Sequence, residues 1–352
     1  MPDKNEKSKE TLPIVIIGAG IAGLCISFYL NKKNISHIII EKGKAGNTWI
    51  EERWDNFHLV NPNWAMKIPE FGFESDHFPS KDPNGFLNKK EIVNYIQSFA
   101  RYLNSEIYEN ENVIKISKNN NSYEIQTSKR LIHTNTVIIA TGAFGNPYIP
   151  EIHKNLDKDI FQIHSSKYKN STGLPEGKVV VVGSGQSGAQ IAEDLLDSGR
   201  KVILAVSKCG RRPRKYRSKD SSWWNYEMGL FDKTVNDVKL EERWKCSAHT
   251  SGAKGGHDIN LIDLAENGLE LCGSIKNCQG NKLFLKDNVY ENVKFSDTYA
   301  INWRKNVDEF ITKNNIKAPQ ESIKIDERIQ SNILKNYDQL LLNKEINSII
   351  WA

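Results

Sequence analysis

Ile14-Val15-Ile16-Ile17-Gly18-Ala19-Gly20-Ile21-Ala22-Gly23 is the stretch that decides how the rest of the chain is read. A β-branched run closes on G-x-G-x-x-G, an apolar helix-like segment follows from Leu24 to Leu30, and a second run, Ile38-Ile39-Ile40, ends at Glu41. Strand, tight turn, helix, strand and acid in that order predict a dinucleotide-binding unit. Gly18 permits the turn, Gly20 lets the backbone approach a pyrophosphate, and Gly23 lets helix and strand pack closely. With Ile21 and Ala22 these glycines open the helix, whose N-terminal N–H groups and positive dipole end suit phosphates. Glu41 stands where a carboxylate can accept hydrogen bonds from a ribose hydroxyl. The plain alternative is a glycine-rich strand-to-helix turn in some other α/β protein.

The pattern then repeats. Lys178-Val179-Val180-Val181-Val182 is a strand, Gly183-Ser184-Gly185-Gln186-Ser187-Gly188 is a second fingerprint, Ala189 to Leu196 is helical, Gly199 stops it, and Val202 to Val206 is the next strand. Two complete fingerprints are far more specific than one. They imply two nucleotides and electron or hydride transfer between them. The second unit differs where the first has Glu41: Ser207 stands there, followed by Lys208, Arg211, Arg212, Arg214, Lys215 and Arg217. A carboxylate would repel a 2′-phosphate, whereas a hydroxyl with guanidinium groups would bind one, so the second site is expected to prefer NADPH, with Ser207, Arg211 and Arg212 on the phosphate. The competing reading of the basic run is a solvated surface loop.

The chain has 352 residues, enough for two ordinary domains, and its 39% hydrophobic and 26% charged content suits a globular protein. A net charge of +5, with both signs plentiful, is too mild to imply a nucleic-acid partner. Residues 1–11 are expected to be a disordered lead-in and not a signal peptide, because the opening is polar and charged. No apolar run approaches the roughly 18 residues of a membrane span. Five scattered cysteines without C-x-x-C argue for reduced thiols, a cytoplasmic location, no zinc ribbon and no dithiol redox centre.

Between the fingerprints, Gly46-Asn47-Thr48-Trp49 and Arg53-Trp54-Asp55 form a loop in which the tryptophans either cover a flat ring system or fill a core. The loop from Pro69 to Phe86 is long for a compact domain. Residues 89–103 carry helical apolar spacing, and Asn112–Ile116, Ser122–Gln126 and Leu131–Thr134 read as a strand meander. Thr136 to Ala140 reads as a buried strand ending in Thr141-Gly142. Further on, Asp258–Asn267 predicts a helix, Leu271–Ile275 and Lys282–Leu285 a hairpin, and Val307–Thr312 and Ile329–Leu342 helices. The last six residues, Asn347-Ser348-Ile349-Ile350-Trp351-Ala352, echo Asn135-Thr136-Val137-Ile138-Ile139-Ala140. Only the first copy continues into Thr-Gly, which gives the expectation of a C-terminally truncated chain. The expected fold is α/β, with two Rossmann-like dinucleotide-binding domains, residues 12–170 and 171–352, the first lacking its C-terminal return segment.

The fingerprints, Gly46-Asn47-Thr48-Trp49, Arg53-Trp54-Asp55, Ala140-Thr141-Gly142 and His164-Ser165-Ser166-Lys167-Tyr168 together resemble the class B flavoprotein monooxygenases, the flavin-containing and Baeyer–Villiger type enzymes. The closer likeness is to bacterial oxidoreductases of that superfamily named alongside cation-diffusion facilitators. Lys158 and Ile160 replace the Phe-x-Gly that precedes the histidine in the family signature, and Asn47 replaces a usual glycine, which weakens any strict family label. The resemblance implies FAD on the first fingerprint and NADPH on the second, with O₂ and a small organic substrate as reactants. It extends the expected FAD contacts to Lys42, Thr48, Trp49, Arg53, His58, Val113, Ala140, Thr141 and Gly142. Asn61 is a candidate for an amide beside the flavin, or else a turn cap before Pro62; His164 is a candidate for orienting the nicotinamide, or else structural. An NADPH oxidase, a non-catalytic remnant and a homodimer are left open.

Overall fold

The computed structural model describes residues 9–243, 245–323, 325–330, 334 and 337–352. Of the lead-in expected over residues 1–11, residues 1–8 lie outside the described residues, and residues 9–11 already belong to the first strand. The chain divides into two compact units, one made of Met1–Arg53 and Asn63–Pro147, the other of Trp54–Pro62 and Tyr148–Ala352.

The first unit contains β1 (Lys9–Ile17), α1 (Ile21–Lys32), β2 (Ile38–Ile40), α2 (Asn47–Glu51), α3 (Lys89–Leu103), β3 (Ile107–Tyr108), β4 (Val113–Asn119), β5 (Ser122–Thr127) and β6 (Leu131–Ile139). They form a six-stranded sheet in the order β3-β2-β1-β6-β5-β4. The first three pairings are parallel and the last two antiparallel. The unbroken Ile and Val runs of β1 and β2 suit strands covered on both faces. Val15, Ile17, Ile38 and Ile40 are buried with Ile125 and Ile132 of the meander.

Two expectations change here. The meander strand at Leu131–Thr134 and the strand at Thr136–Ala140 are one element: β6 pairs with β5 through Thr134 and with β1 through Ile139. Its far end is not buried, since Ile139 is 61% exposed. Helix α3 spans the expected residues, and its N-terminus is fixed by a capping box, Asn88 accepting from the Glu91 N–H and Glu91 accepting from the Asn88 N–H. The long loop before it is held by rings. Phe71 and Phe78 are buried against Tyr95 and Phe99 of α3, and the Tyr95 hydroxyl donates to the Phe71 carbonyl.

The second unit contains β7 (Phe161–His164), β8 (Lys178–Val182), α4 (Gln186–Asp197), β9 (Val202–Ala205), β10 (Lys215–Tyr216), β11 (Lys219–Asp220), α5 (Ser221–Glu227), α6 (Leu261–Glu266), β12 (Glu270–Cys272), β13 (Ile275–Gln279), β14 (Lys282–Leu285), α7 (Val289–Lys313), β15 (Gln339–Leu341) and β16 (Ile346–Trp351). Its main sheet, β12-β9-β8-β16-β7, is parallel throughout. The last strand therefore enters mid-sheet, with Ile349, Ile350 and Trp351 buried. The sequence echo has a structural meaning: β6 lies beside β1 as β16 lies beside β8.

The helix expected near Asp258 is α6, and Val307–Thr312 lies inside α7. Leu271–Ile275 is not one hairpin strand. It splits between β12, which extends the parallel sheet, and β13, which forms the hairpin with β14. Within Ile329–Leu342 the described residues form a short 3₁₀ turn ending at Gln330 and the strand β15, which pairs with β14; residues 331–333, 335 and 336 lie outside them. Leu340 in β15 and Leu342 just past its end face the core, with the exposed Leu341 between them.

Candidate functional site: two glycine cradles

The first cradle is built where β1 ends beside β2 and β6. Gly18 has φ +109°, and a Cβ there would lie 2.4 Å from the Ala140 carbonyl oxygen. At Gly23 it would lie 2.0 Å from the Gly18 carbonyl oxygen. Both positions must therefore be glycine for helix, turn and strand to close. Gly20 is different: a Cβ there would meet nothing within 4 Å. Its glycine answers to no neighbour among the described residues, and the open space in front of it is where a phosphate would lie. Gly20 is also the N-cap of α1, and no side chain caps that helix, whereas Asn88, Asp220 and Asn260 cap α3, α5 and α6. Glu41 is buried; Oε2 accepts from the Ala19 N–H at 2.8 Å and Oε1 from the Gly43 N–H at 3.0 Å. Two backbone donors hold a carboxylate beside the cradle and leave lone pairs for ribose hydroxyls. This geometry fits an FAD pyrophosphate and ribose.

The second cradle repeats the first. Gly183 has φ +100°, with a Cβ position 2.3 Å from the Ala352 carbonyl oxygen, and Gly188 would put a Cβ 2.0 Å from the Gly183 carbonyl oxygen. Ser207 replaces Glu41: its Oγ accepts from the Ser184 N–H at 3.1 Å, as Glu41 does from Ala19. Ser184 Oγ donates back to the Ser207 carbonyl. Gly185 caps α4, again without a side-chain cap. Its Cβ position is not open, however; the Cys246 Sγ lies 3.0 Å away. Gln186 grips the same segment through both ends of its amide, donating to the Thr250 carbonyl and accepting from the Thr250 N–H. Ser187 is exposed on the first turn of α4. The donor set fits a nucleotide once Cys246 moves aside. Nothing in the sequence marks Cys246, which is a lone cysteine 61 positions past Gly185.

The basic run is employed mainly within the protein. Arg211 is buried, bonded to Asp297 and 3.8 Å from Asp258. Arg212 donates from Nε to Ser221, Arg214 pairs with Asp220 and reaches the Val60 carbonyl, and Arg217 pairs with Asp308. Burial lowers the pKa of Arg212. The exposed cation immediately after Ser207 is Lys208, whose Nζ sits over the Phe295 ring.

The remaining expected contacts are dispersed. Ile21 is half-buried and Ala22 exposed at the start of α1; Thr141 and Gly142 are exposed just past β6. In the first unit, Thr48 and Trp49 lie on α2, the Arg53 guanidinium stacks on Trp49, and Lys42 is 3.8 Å from Glu52. Val113 packs against the sheet core. Of the two tryptophans left open between ring cover and core, Trp54 is a core residue, 5% exposed and edge-on to Phe57 in the second unit. In that unit the His58 ring meets the Asn56 carbonyl and Asn61 is exposed. His164 Nδ1 accepts from the Ser166 N–H at 3.1 Å, which puts the neutral ring's proton on Nε2 and caps a turn at the end of β7. Among the described residues no cluster of His, Cys, Asp or Glu could hold a metal ion, and no helix is long and apolar enough to cross a membrane.

Paired cradles of this form mark an oxidoreductase with two nucleotide-binding folds. The chain belongs to the pyridine nucleotide-disulphide oxidoreductase family, whose model matches residues 15–242. A CzcO-like oxidoreductase of Geobacillus kaustophilus is 34% identical over 225 residues, covering 63% of this chain and 62% of that protein. The chain thus spans less than two thirds of that relative's length. Among solved structures, a flavin monooxygenase from Stenotrophomonas maltophilia aligns over 97% of this chain and 78% of its own, with 15% identity and a TM-score of 0.60. The enzyme OTEMO, in complex with FAD and NADP, aligns over 97% of this chain and 71% of its own, with 15% identity and a TM-score of 0.54. At these identities the likeness to the structures is one of fold.

Proposed function

We propose that the chain acts as an FAD-containing, NADPH-dependent monooxygenase that uses O₂ to oxygenate a small organic substrate at nitrogen, sulfur or a ketone. The observation that carries this reading is one cradle built twice with opposite partners, a buried carboxylate at Glu41 and a hydroxyl at Ser207 followed by the exposed Lys208. Flavin, when bound, supplies hydride acceptance from NADPH and activation of O₂. The residues of the chain do the rest. Glu41 takes the ribose hydroxyls, the uncapped α1 N-terminus meets the pyrophosphate, and Gly20 leaves it room. Ser207 and Lys208 take the 2′-phosphate, with Arg212 beside them and Arg211 holding the segment in place. Asn61 offers an amide beside the flavin and His164 orients the nicotinamide.

The test is the visible absorption spectrum of the purified chain before and after loading with FAD and removing the excess, followed by NADPH oxidation and oxygen uptake. A retained flavin spectrum bleached by NADPH is expected. A colourless protein that will not hold FAD would overturn the reading.

A second reading, an NADPH oxidase, draws on the exposed ends of the first sheet. Ile139 and Phe144, just before and after Ala140-Thr141-Gly142, are 61% and 74% exposed. Oxygen transfer needs water kept out. Peroxide formed in step with NADPH, regardless of organic substrate, would favour this reading.

A further inference from the structure

The sequence contains no C-x-x-C, yet the fold builds a cysteine pair. Cys209 and Cys246, 37 residues apart, bring their sulfurs to 3.3 Å, with the Cys209 thiol donating to Cys246. Cys209 is buried just beyond β9; Cys246 is exposed. The Cys246 sulfur also lies 3.0 Å from the Cβ position of Gly185, the N-cap of α4. It therefore occupies the place in the second cradle that lies open in the first. The segment carrying it is laid across the cradle by the Gln186–Thr250 bonds, by the His249 N–H to Gly210 and by the Arg212 N–H to His249.

We propose that Cys209 and Cys246 form a redox-active thiol pair, and that their disulfide closes the second cradle to its dinucleotide. The proposal rests on the reading of that cradle as the NADPH site. The chemistry is a two-electron oxidation by hydrogen peroxide. The Cys246 thiolate attacks one peroxide oxygen; the O–O bond breaks, an S–O bond forms, and the other oxygen leaves as water after taking a proton. The Cys209 sulfur then attacks Cys246; the S–O bond breaks, the S–S bond forms, and hydroxide leaves with the Cys209 proton as a second water. Two electrons leave the sulfurs and the O–O bond receives them.

The surroundings suit these roles. The Cys209 thiol holds the Cys246 thiol well below the ordinary thiol range, with the Gln186 N–H adding to it. Cys209 is pushed the other way, by donating to Cys246 and by burial. The exposed cysteine is thus the attacking thiolate and the buried one the resolving thiol. Closure follows from geometry. For a dinucleotide to enter, the Cys246 sulfur must leave Gly185, and in the reduced form only hydrogen bonds hold its segment there. A bond of about 2.05 Å ties it to Cys209, buried just beyond β9, and keeps the sulfur over the cradle. Peroxide is also what an NADPH-oxidising flavin site releases when oxygen transfer fails, so the disulfide would halt wasteful turnover.

The experiment uses the full chain, reduced, peroxide-treated and re-reduced with dithiothreitol. Each form is digested without reduction for mass spectrometry and titrated with NADP⁺ by calorimetry. The expected result is a peptide pair joining Cys209 to Cys246 in the oxidised form, at least tenfold weaker NADP⁺ binding, and full recovery with dithiothreitol. Cys209→Ser should instead leave a Cys246 sulfenic acid that dimedone traps, and Cys246→Ser should bind NADP⁺ equally before and after peroxide. Absence of the 209–246 link in a reduced protein that binds NADP⁺ would overturn the pair, and a link without loss of affinity would overturn the closure. Failure of the reduced protein to bind NADP⁺ would overturn the nucleotide reading and the closure with it, while the mass spectrum still decides whether the thiol pair exists.

Discussion

Gly20 and Gly23 stand three residues apart and are glycine for different reasons. A Cβ at Gly23 would press on the Gly18 carbonyl at 2.0 Å, whereas one at Gly20 would meet nothing within 4 Å. Gly23→Ala should therefore cost about 1–3 kcal/mol of stability as helix and strand are forced apart. Gly20→Val should melt within a few degrees of the parent but lose FAD, because its methyl groups fill the phosphate's space. Thermal melts and flavin content separate the two, and a Gly20→Val variant that keeps its flavin would move the site elsewhere. Charge at the second cradle is a matter of the same scale. Lys208→Ala should reduce the preference for NADPH over NADH about tenfold, one charge-assisted contact. Arg211→Ala should strand Asp297 in a buried site and cost about 3–5 kcal/mol with little selective effect on the two nucleotides. Ratios of kcat/KM, beside urea melts, would show whether these roles are exchanged.

At the scale of elements, what could be read from sequence was what is local. The fingerprints were legible because a glycine turn, its strand and its helix are contiguous, and α3 was legible because one face carries its apolar residues from Ile92 to Leu103. The basic run was read as a phosphate grip because its partners, Asp220, Asp258, Asp297 and Asp308, lie up to 91 positions away. The boundary at Gly273-Ser274 lies inside the single strand expected over Leu271–Ile275, because so short a stretch does not reveal that one half pairs in parallel with β9 and the other antiparallel with β14. Cys246 was missed because its only distinction is what it faces. The Asn88–Glu91 box is likewise local and its value can be checked: Asn88→Ala should destabilise the protein by about 1 kcal/mol in urea titration, with an unchanged m-value.

For the molecule as a whole, two histidines of the second unit set opposing pH dependences on stability. His249 is fully buried with neither ring nitrogen hydrogen-bonded among the described residues, and burial, assisted by the nearby Arg211, lowers its pKa to about 4. The unfolded chain would bind a proton near pH 6.5, where the folded chain does not. Stability from keeping this ring neutral is thus complete above about pH 6.5 and lost as pH falls toward 4, on the order of 3 kcal/mol in all. His257 works the other way. Its Nε2 meets Glu193 at 2.5 Å, and that bond raises its pKa despite burial and the nearby Lys254. Its contribution is complete below the unfolded value and lost as pH rises through the folded one. Together they place the maximum of stability near pH 6.5, falling on the acid side through His249 and on the alkaline side through His257. Urea midpoints from pH 4.5 to 8.5 would trace the two arms. His257→Gln should flatten the alkaline arm and leave the acid arm in place, and His249→Phe should do the reverse. An acid arm that survives His249→Phe would mean that carboxylate protonation, and not this histidine, governs the loss of fold at low pH.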